Sequence, residues 1–517
     1  MKRIILQITL LTVFANAIGY LKDIVLAYYY GTSVVSDTYI IAITVPTIMY
    51  SFFGAAISAG FIPKYSEIRK KSLKEANDFT SNLFVFSTIF ALLIIALIIG
   101  FTEPILKIFA SGFDHQTLSL AISFTRITAF SILVSGAIGI YKGVLNINNI
   151  YWAPVFMAIP KNVILILFIV LSNHSYEFFL PFGFVVGTLV EILILTLFTN
   201  KTSFRFTSSL KFQTKDIFSF VVLVLPIFFS IAVNDINKII DRTIASNLQV
   251  GAISALSYAE KFNGMIQGIL VASVTTAMFP LVSNYAATGR TEDMKSSIRE
   301  SIIIITLLVL PASVGLIIYS RELVSLLYGR GSFTSQSIEI TASALVFYSI
   351  GMLSFSLRQV LLKSFYAMRI FNASLINSML TVTLNVVLNL FFYYQTDLGV
   401  KGLALATSTS GIIASIFLMI KLDRKLGDLV NYSLFKSLMK IAFATVVMSI
   451  GGVIAYKILL AYFNLPQNLI IIYIVSFSVV VYFLSVIILK VEEVMVLRKL
   501  LVSKLFGRFK DGSTLKG

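Results

Sequence analysis

The chain has 517 residues, of which 57% are apolar and only 13% charged, and its formal charge is +17. Soluble domains are about 45–50% apolar and about 25% charged, so a water-facing globule is excluded. Without cysteine, disulfides, thiolate nucleophiles and cysteine-based metal sites are excluded too. The basic excess reads as a positive-inside bias with contact to anionic lipid at the cytoplasmic face, not as nucleic-acid binding.

Apolar runs of about 20 residues recur, each enough to cross about 30 Å of hydrocarbon. The weak ten-residue alternation of a membrane barrel is absent. The pattern predicts an all-α polytopic membrane protein with about fourteen transmembrane helices, near 4–30, 37–62, 79–102, 117–146, 153–172, 177–199, 216–245, 251–285, 296–319, 337–365, 370–394, 398–420, 437–462 and 467–490. Lys2 and Arg3, an apolar run to Phe14 and then Ala15-Asn16-Ala17 have the outline of a cleavable signal. The apolar helix continues to Tyr30, so this segment is read as the first span. Pro46, Pro160, Pro226 and Pro311 fall inside spans, where neighbouring helices re-satisfy the freed carbonyls.

Charges inside spans cost about 2.5–3.5 kcal/mol each on insertion scales and normally face a bundle interior or wet cavity. In chain order they are Lys22 and Asp23 in span 1, Asp37 opening span 2, Arg126 and Lys142 in span 4, Lys161 in span 5 and Glu191 in span 6. Span 7 carries Asn234, Asp235, Lys238, Asp241 and Arg242, span 8 Glu260 and Lys261, and span 10 Arg358 and Lys363. Asn234, Lys238, Asp241 and Ala245 share one helical stripe, while 218–233 is almost wholly apolar. Asn385 and Asn389, spaced i, i+4 in span 11, fit either interhelical hydrogen bonds or ion coordination. Gly139/Gly143, Gly183/Gly187 and Gly264/Gly268 have the spacing of close helix packing.

Alternate loops carry the basic residues: Lys64 to Lys74, Lys201 to Lys215, Arg290 to Arg299 and Lys421 to Lys436. The rule that such loops stay inside places both termini in the cytoplasm. Ser320–Gln336 is read as an outer loop, with Arg321 and Arg330 a mild exception. The chain also repeats at about 218 residues. Asp23 to Ala27 echoes Asp241 to Ala245, Phe61-Ile62-Pro63 echoes Met278-Phe279-Pro280, and Glu103 and Gly112 echo Glu322 and Gly331. Such parallel repeats predict two six-helix lobes: an N-terminal lobe at 1–200, a cytoplasmic linker at 201–215 and a C-terminal lobe at 216–420. Two added helices at 437–490 and a basic, amphipathic cytoplasmic tail at 491–517 follow. Two lobes about a cleft are a transporter plan, with Lys22, Lys238 and Lys261 suited to an anion such as a diphosphate.

No enzyme signature is present. The only histidines, His115 and His174, fall in predicted outer loops, and no HExxH, Walker A or dinucleotide-binding pattern occurs in a suitable context. A drug/cation antiporter needs a compact acidic or aromatic pocket, against which the basic residues argue. A non-transporting scaffold gains nothing from in-span charges.

Gly19 to Gly31, followed by Ser36-Asp37-Thr38-Tyr39, resembles the MurJ (MviN) family of lipid II flippases, within the multidrug and polysaccharide exporter superfamily. Val45-Pro46, Ala59 to Pro63, Tyr258 to Phe262, Phe279-Pro280, Gly329 to Thr334 and Gly402 to Thr407 are similar to it as well. The resemblance implies alternating access in a bacterial cytoplasmic membrane around a cationic cavity. The implied cargo is the undecaprenyl-diphosphate-linked peptidoglycan unit, its tail resting in a groove at the added helices, with glycan polymerases as partners. With the in-span charges read above, the candidate substrate-binding residues are Asn16, Lys22, Asp23, Asp37, Lys238, Glu260, Lys261 and Arg358. Lys22 and Lys261 stand at family arginines and Asp37 at a family aspartate. Asp241, Asn385, Asn389 and Thr407 resemble a sodium site of some members, the one ion implied. Asn16, Tyr50 and Ser51 depart from the family, which has arginines there. A flippase for an undecaprenyl-diphosphate-linked exopolysaccharide or teichoic-type unit is the alternative.

Overall fold

In hydrocarbon every backbone N–H and C=O must be satisfied within its own segment or a closed barrel, so apolar runs of this length fold as helices. A computed structural model describes residues 2–172, 176–207, 235–463 and 465–491. The first helices are α1 (Lys2–Tyr30), α2 (Val34–Arg69), α3 (Leu73–Gly100), α4 (Thr102–Phe109), α5 (His115–Ala129), α6 (Ile132–Ile147), α7 (Trp152–Phe156), α8 (Ala158–Ser172) and α9 (Phe179–Thr199). After α10 (235–246) come α11 (Ala252–Ala287), α12 (Thr291–Ile318), α13 (Ser320–Tyr328), α14 (Ser335–Ala367), α15 (Phe371–Gln395), α16 (Val400–Leu426), α17 (Tyr432–Tyr462) and α18 (Gln467–Ile488). Among the described residues, 12 helices are long and apolar enough to cross a membrane, or up to 13 if a bent pair counts as one span. Of the predicted span 216–245, residues 216–234, with Asn234 and Pro226, lie outside the described residues, as do His174 and 492–517 of the tail.

Polar side chains start several helices by accepting otherwise orphaned amides. Ser33 accepts from Ser36, Ser72 from Glu75, Asp114 from Thr117 and Asn431 from Leu434. The Thr117 hydrogen bonds hold the Asp114 carboxyl below the ordinary carboxylate range. Two sequence expectations change. The predicted single helix over 117–146 is two, α5 and α6, bent by 41° and able to count as one span. There the Phe130 and Ser131 amides donate to Ile127 and Thr128, a tightened i→i−3 turn. Within the predicted loop Ser320–Gln336, Ser320–Tyr328 is helix α13. It follows α12 as the short α4 follows α3, and α4 buries Ile105, Leu106 and Phe109 while exposing a Glu103–Lys107 pair at 2.8 Å.

Two compact units divide the chain. The first comprises Met1–Lys261, Leu327–Thr341 and Val386–Leu403, and the second Phe262–Leu326, Ala342–Asn385 and Ala404–Gly517. The first unit has a core at each end. Where α2 runs into the basic stretch Lys64–Lys74, Phe61, Tyr65, Phe79, Tyr141 and Leu195 pack together, with Phe61 and Tyr65 ring centroids 5.4 Å apart. At the other end Leu26, Tyr30, Tyr39, Phe124, Ile169 and Leu180 pack, and Tyr30 donates to Ser172 at 2.7 Å. In the second unit Tyr319 packs on Ile470, Ile471 and Ile474 of α18. Phe435, Met439, Phe443, Val446, Ile450 and Ile454 form an exposed apolar stripe on α17, the face a membrane helix turns to lipid. The expected glycine packing holds at Gly143, against Phe61, and at Gly183, against Phe168. It is not met at Gly264 and Gly268, where an added Cβ would touch nothing within 4 Å among the described residues.

Candidate functional site

Four in-span charges of the first unit, Lys22, Asp23, Asp37 and Lys261, lie where α1, α2 and α11 meet. The Asp23 carboxylate, almost fully buried, takes the Lys22 ammonium at 2.9 Å and that of Lys261 at 2.5 Å, both on Oδ1. Lys261 comes from 238 positions further along the chain. A buried carboxylate is tolerable only when paired, and removing a partner from such a pair costs about 3–5 kcal/mol. Lys22 is 16% exposed and Lys261 33%, so the cations, not the carboxylate, face accessible space.

Asp37 plays a different part. Its oxygens accept the amides of Gly251, at 2.8 Å, and Ser254, at 2.7 Å. These are the orphan donors at the N-terminus of α11, where the helix dipole also favours a negative charge. The approach is close because two glycines allow it. Gly251 has φ +87, and a Cβ there would stand 2.6 Å from the Thr32 carbonyl oxygen. Gly31 has φ +54, and a Cβ there would strike the carbonyl of Ser332. The Gly31 carbonyl accepts from Ser36 at 2.9 Å and from Tyr258 at 3.3 Å, and Ser332 donates to the Tyr28 carbonyl at 2.8 Å. Main chain thus packs on main chain beside the cation cluster.

The other candidates divide. Lys238 is 3.0 Å from Asp235 and largely exposed, and Ser51 donates to Asp235. Glu260 is exposed, 3.9 Å from Arg242. Asn16 is exposed on α1, and Tyr50 is buried beside Gly136. Among the described residues these hydrogen bonds and ion pairs lie apart from the Asp23 cluster. Asp241 accepts from Asn237 at 3.2 Å and from Asn389 at 2.5 Å, all within the first unit. Within the second unit Asn385 donates to Thr407 at 3.1 Å, and Arg358 donates to Asn377 at 2.7 Å. Asn377 in turn donates to the Ala414 carbonyl at 2.7 Å. Among the described residues no group of three or more His, Cys, Asp or Glu is placed to hold a metal ion. Sequence reading missed the roles of Gly251, Ser254 and Tyr258. A glycine just ahead of an alanine-rich helix start, at Gly251-Ala252, is the signal that marks the first.

The family described as "Lipid II flippase MurJ" matches residues 26–506. A probable lipid II flippase MurJ of Thermotoga maritima is 29% identical over 493 residues, covering 94% of this chain and 96% of the relative. One from Buchnera aphidicola subsp. Baizongia pistaciae is 27% identical, covering 86% and 88%. A solved structure of lipid II flippase MurJ in an inward closed conformation superposes with a TM-score of 0.81 at 25% identity, over 94% of this chain and 99% of that one. An inward-facing multidrug resistance transporter of the MATE family shares the fold, with a TM-score of 0.68 at 12% identity, over 79% and 94%.

Proposed function

The chain belongs to the lipid II flippase MurJ family, and from that premise we propose how its residues carry the cargo. It is a multi-pass membrane transporter, not an enzyme, and it moves lipid II, the undecaprenyl-diphosphate-linked peptidoglycan precursor, across the bilayer by alternating access. The observation that carries the reading is the convergence of Lys22 and Lys261 on one buried carboxylate, Asp23. Asp23 holds the two ammonium groups while the site is empty of cargo. A diphosphate offers more anionic oxygens than one carboxylate and competes for both cations through charge-assisted hydrogen bonds. Lysine presents a point charge with three donors, so it follows a moving phosphate without a fixed bidentate geometry.

The basic stretch Lys64–Lys74 lies in the cytoplasm, against anionic lipid, and both termini share that side. The opposite end, where Asp37 tethers α11 and Gly31 meets Ser332, is then external and is the end that opens to release cargo to the glycan polymerases outside. The two six-helix lobes of the sequence repeat are the moving parts. Glu260, Lys238, Asn16 and Arg358 are later or earlier contacts of the cargo. Asp241 with Asn389, and Asn385 with Thr407, offer the hard oxygen donors that suit a sodium ion. Replacement of the native gene in a strain depleted of its own lipid II flippase tests the reading: growth is restored by the wild-type chain. Failure of a well-expressed chain to restore growth rejects lipid II as the cargo.

A further inference from the structure

Glu191, Lys142 and Lys161 of the first unit form a charged group apart from the Asp23 cluster. On α9 Glu191 is almost fully buried, and each of its oxygens is engaged. Lys142 of α6 lies 2.8 Å from Oε1, and Lys161 of α8 lies 3.0 Å from Oε2. One lysine is enough to neutralise a buried carboxylate, so the second ammonium is surplus charge that burial does not explain. The lysine side chains remain 36% and 27% exposed, against 6% for Glu191.

That exposure does not face lipid. Each charge lies nine positions from an exposed apolar residue on its own helix: Phe182 for Glu191, Val170 for Lys161 and Leu133 for Lys142. Nine positions are about two and a half helical turns, so all three charges point away from the apolar face. Each ammonium gives one N–H to Glu191, and that of Lys161 also lies 5.7 Å from the centre of the Phe184 ring, which leaves donors on both for a ligand. The pair is therefore preorganised, no further apart than two hydrogen bonds and a carboxylate edge permit, for a group bearing several anionic oxygens.

The location is also defined. Lys142 adjoins Gly143, which packs on Phe61 in the core at the basic end of the unit. Asn162, next to Lys161, places its amide nitrogen 3.6 Å from where a Cβ of Gly19 would be. Lys22 stands one turn beyond Gly19 on α1. We infer that Lys142 and Lys161, held by Glu191, form a second binding site for a diphosphate anion, met ahead of Lys22 and Lys261 by cargo entering from the basic end. The identity of that anion as the cargo's diphosphate rests on the function proposed above.

The test uses the full chain in phosphatidylcholine nanodiscs, with undecaprenyl diphosphate and inorganic diphosphate as probes. K142Q/E191Q/K161Q replaces all three charges with amides that keep hydrogen bonding across the helices. Its affinity for both probes falls about tenfold or more, with an unchanged melting temperature, whereas K142R/K161R retains binding. Wild-type affinity in the folded triple variant overturns the site. Should that variant not fold, Lys142→Gln alone is read the same way, since Lys161 still pairs Glu191: a loss of a few-fold supports the site and none overturns it. A loss seen only with phosphatidylglycerol vesicles assigns the lysines to a phospholipid headgroup and overturns the diphosphate site. Lysine-dependent binding of inorganic diphosphate without any binding of the undecaprenyl form upholds the site and rejects the lipid-linked cargo instead.

Discussion

Asp23 and Glu191 present the same chemistry in two settings. Each is a carboxylate, 6% exposed at the side chain, that carries two lysines. The Glu191 group joins α6, α8 and α9, whose contributing residues are only 49 and 30 positions apart, with one oxygen for each lysine. The Asp23 group joins segments 238 positions apart and loads both lysines on one oxygen. Neighbouring helices of one bundle have no reason to part, and a shared oxygen is easier to vacate than two dedicated ones. The Glu191 group is therefore a fixed fitting and the Asp23 group a releasable one.

The largest effect is expected at the releasable group. Lys22→Ala and Lys261→Ala each abolish growth of a flippase-depleted strain while membrane abundance stays normal; growth at wild-type rates in both removes these lysines from transport. Next comes stability. Glu191→Ala leaves two ammonium groups facing each other and lowers stability by about 3–5 kcal/mol, read by thermal unfolding in detergent. Asp23→Asn lowers transport instead, with a smaller loss of stability. Equal thermal losses at the two positions erase the distinction between fitting and latch. A smaller change follows from Gly251→Ala, whose φ and collision with Thr32 strain the contact by about 1–3 kcal/mol. Because the chain has no cysteine, Thr32→Cys can be labelled from outside without background, and G251A raises that labelling several-fold. The smallest effect is at Asp241→Asn, which makes transport insensitive to sodium at the cost of a few-fold in rate. Sodium-insensitive transport by the wild type ends the ion proposal.

Much of this architecture is legible in the sequence. Apolar runs mark the spans, and Lys22, Asp23 and Lys261 stand out because charge in hydrocarbon demands a partner. What the sequence does not reveal is which partner. Nothing local says that Asp23 takes Lys261 and not only its neighbour Lys22, or that Asp37 spends both oxygens on backbone amides. Pairings across more than 200 positions are set by how helices pack, and a hydrophobic pattern fixes only which face is inward. Short helices are also easy to miss. Ser320–Tyr328 reads as a loop because its Arg321, Glu322 and serines interrupt the apolar signal, yet its burial of one face is enough to make it helical. Arg358 is legible as an in-span cation, but its amide partner Asn377 is not, since asparagine carries no charge to announce the match.

The contact of Gly31 with Ser332, and of Gly251 with Thr32, is built from peptide groups and not from side chains. Peptide dipoles do not titrate, so the group in this contact that answers to acidity is the Asp37 carboxylate, which accepts the Gly251 amide. A methyl group gained at Gly31 or Gly251 meets backbone at once, which makes the glycines the contact's most sensitive positions. A joint of this kind leaves the response to charge to Asp37 and to the lysines gathered around Asp23.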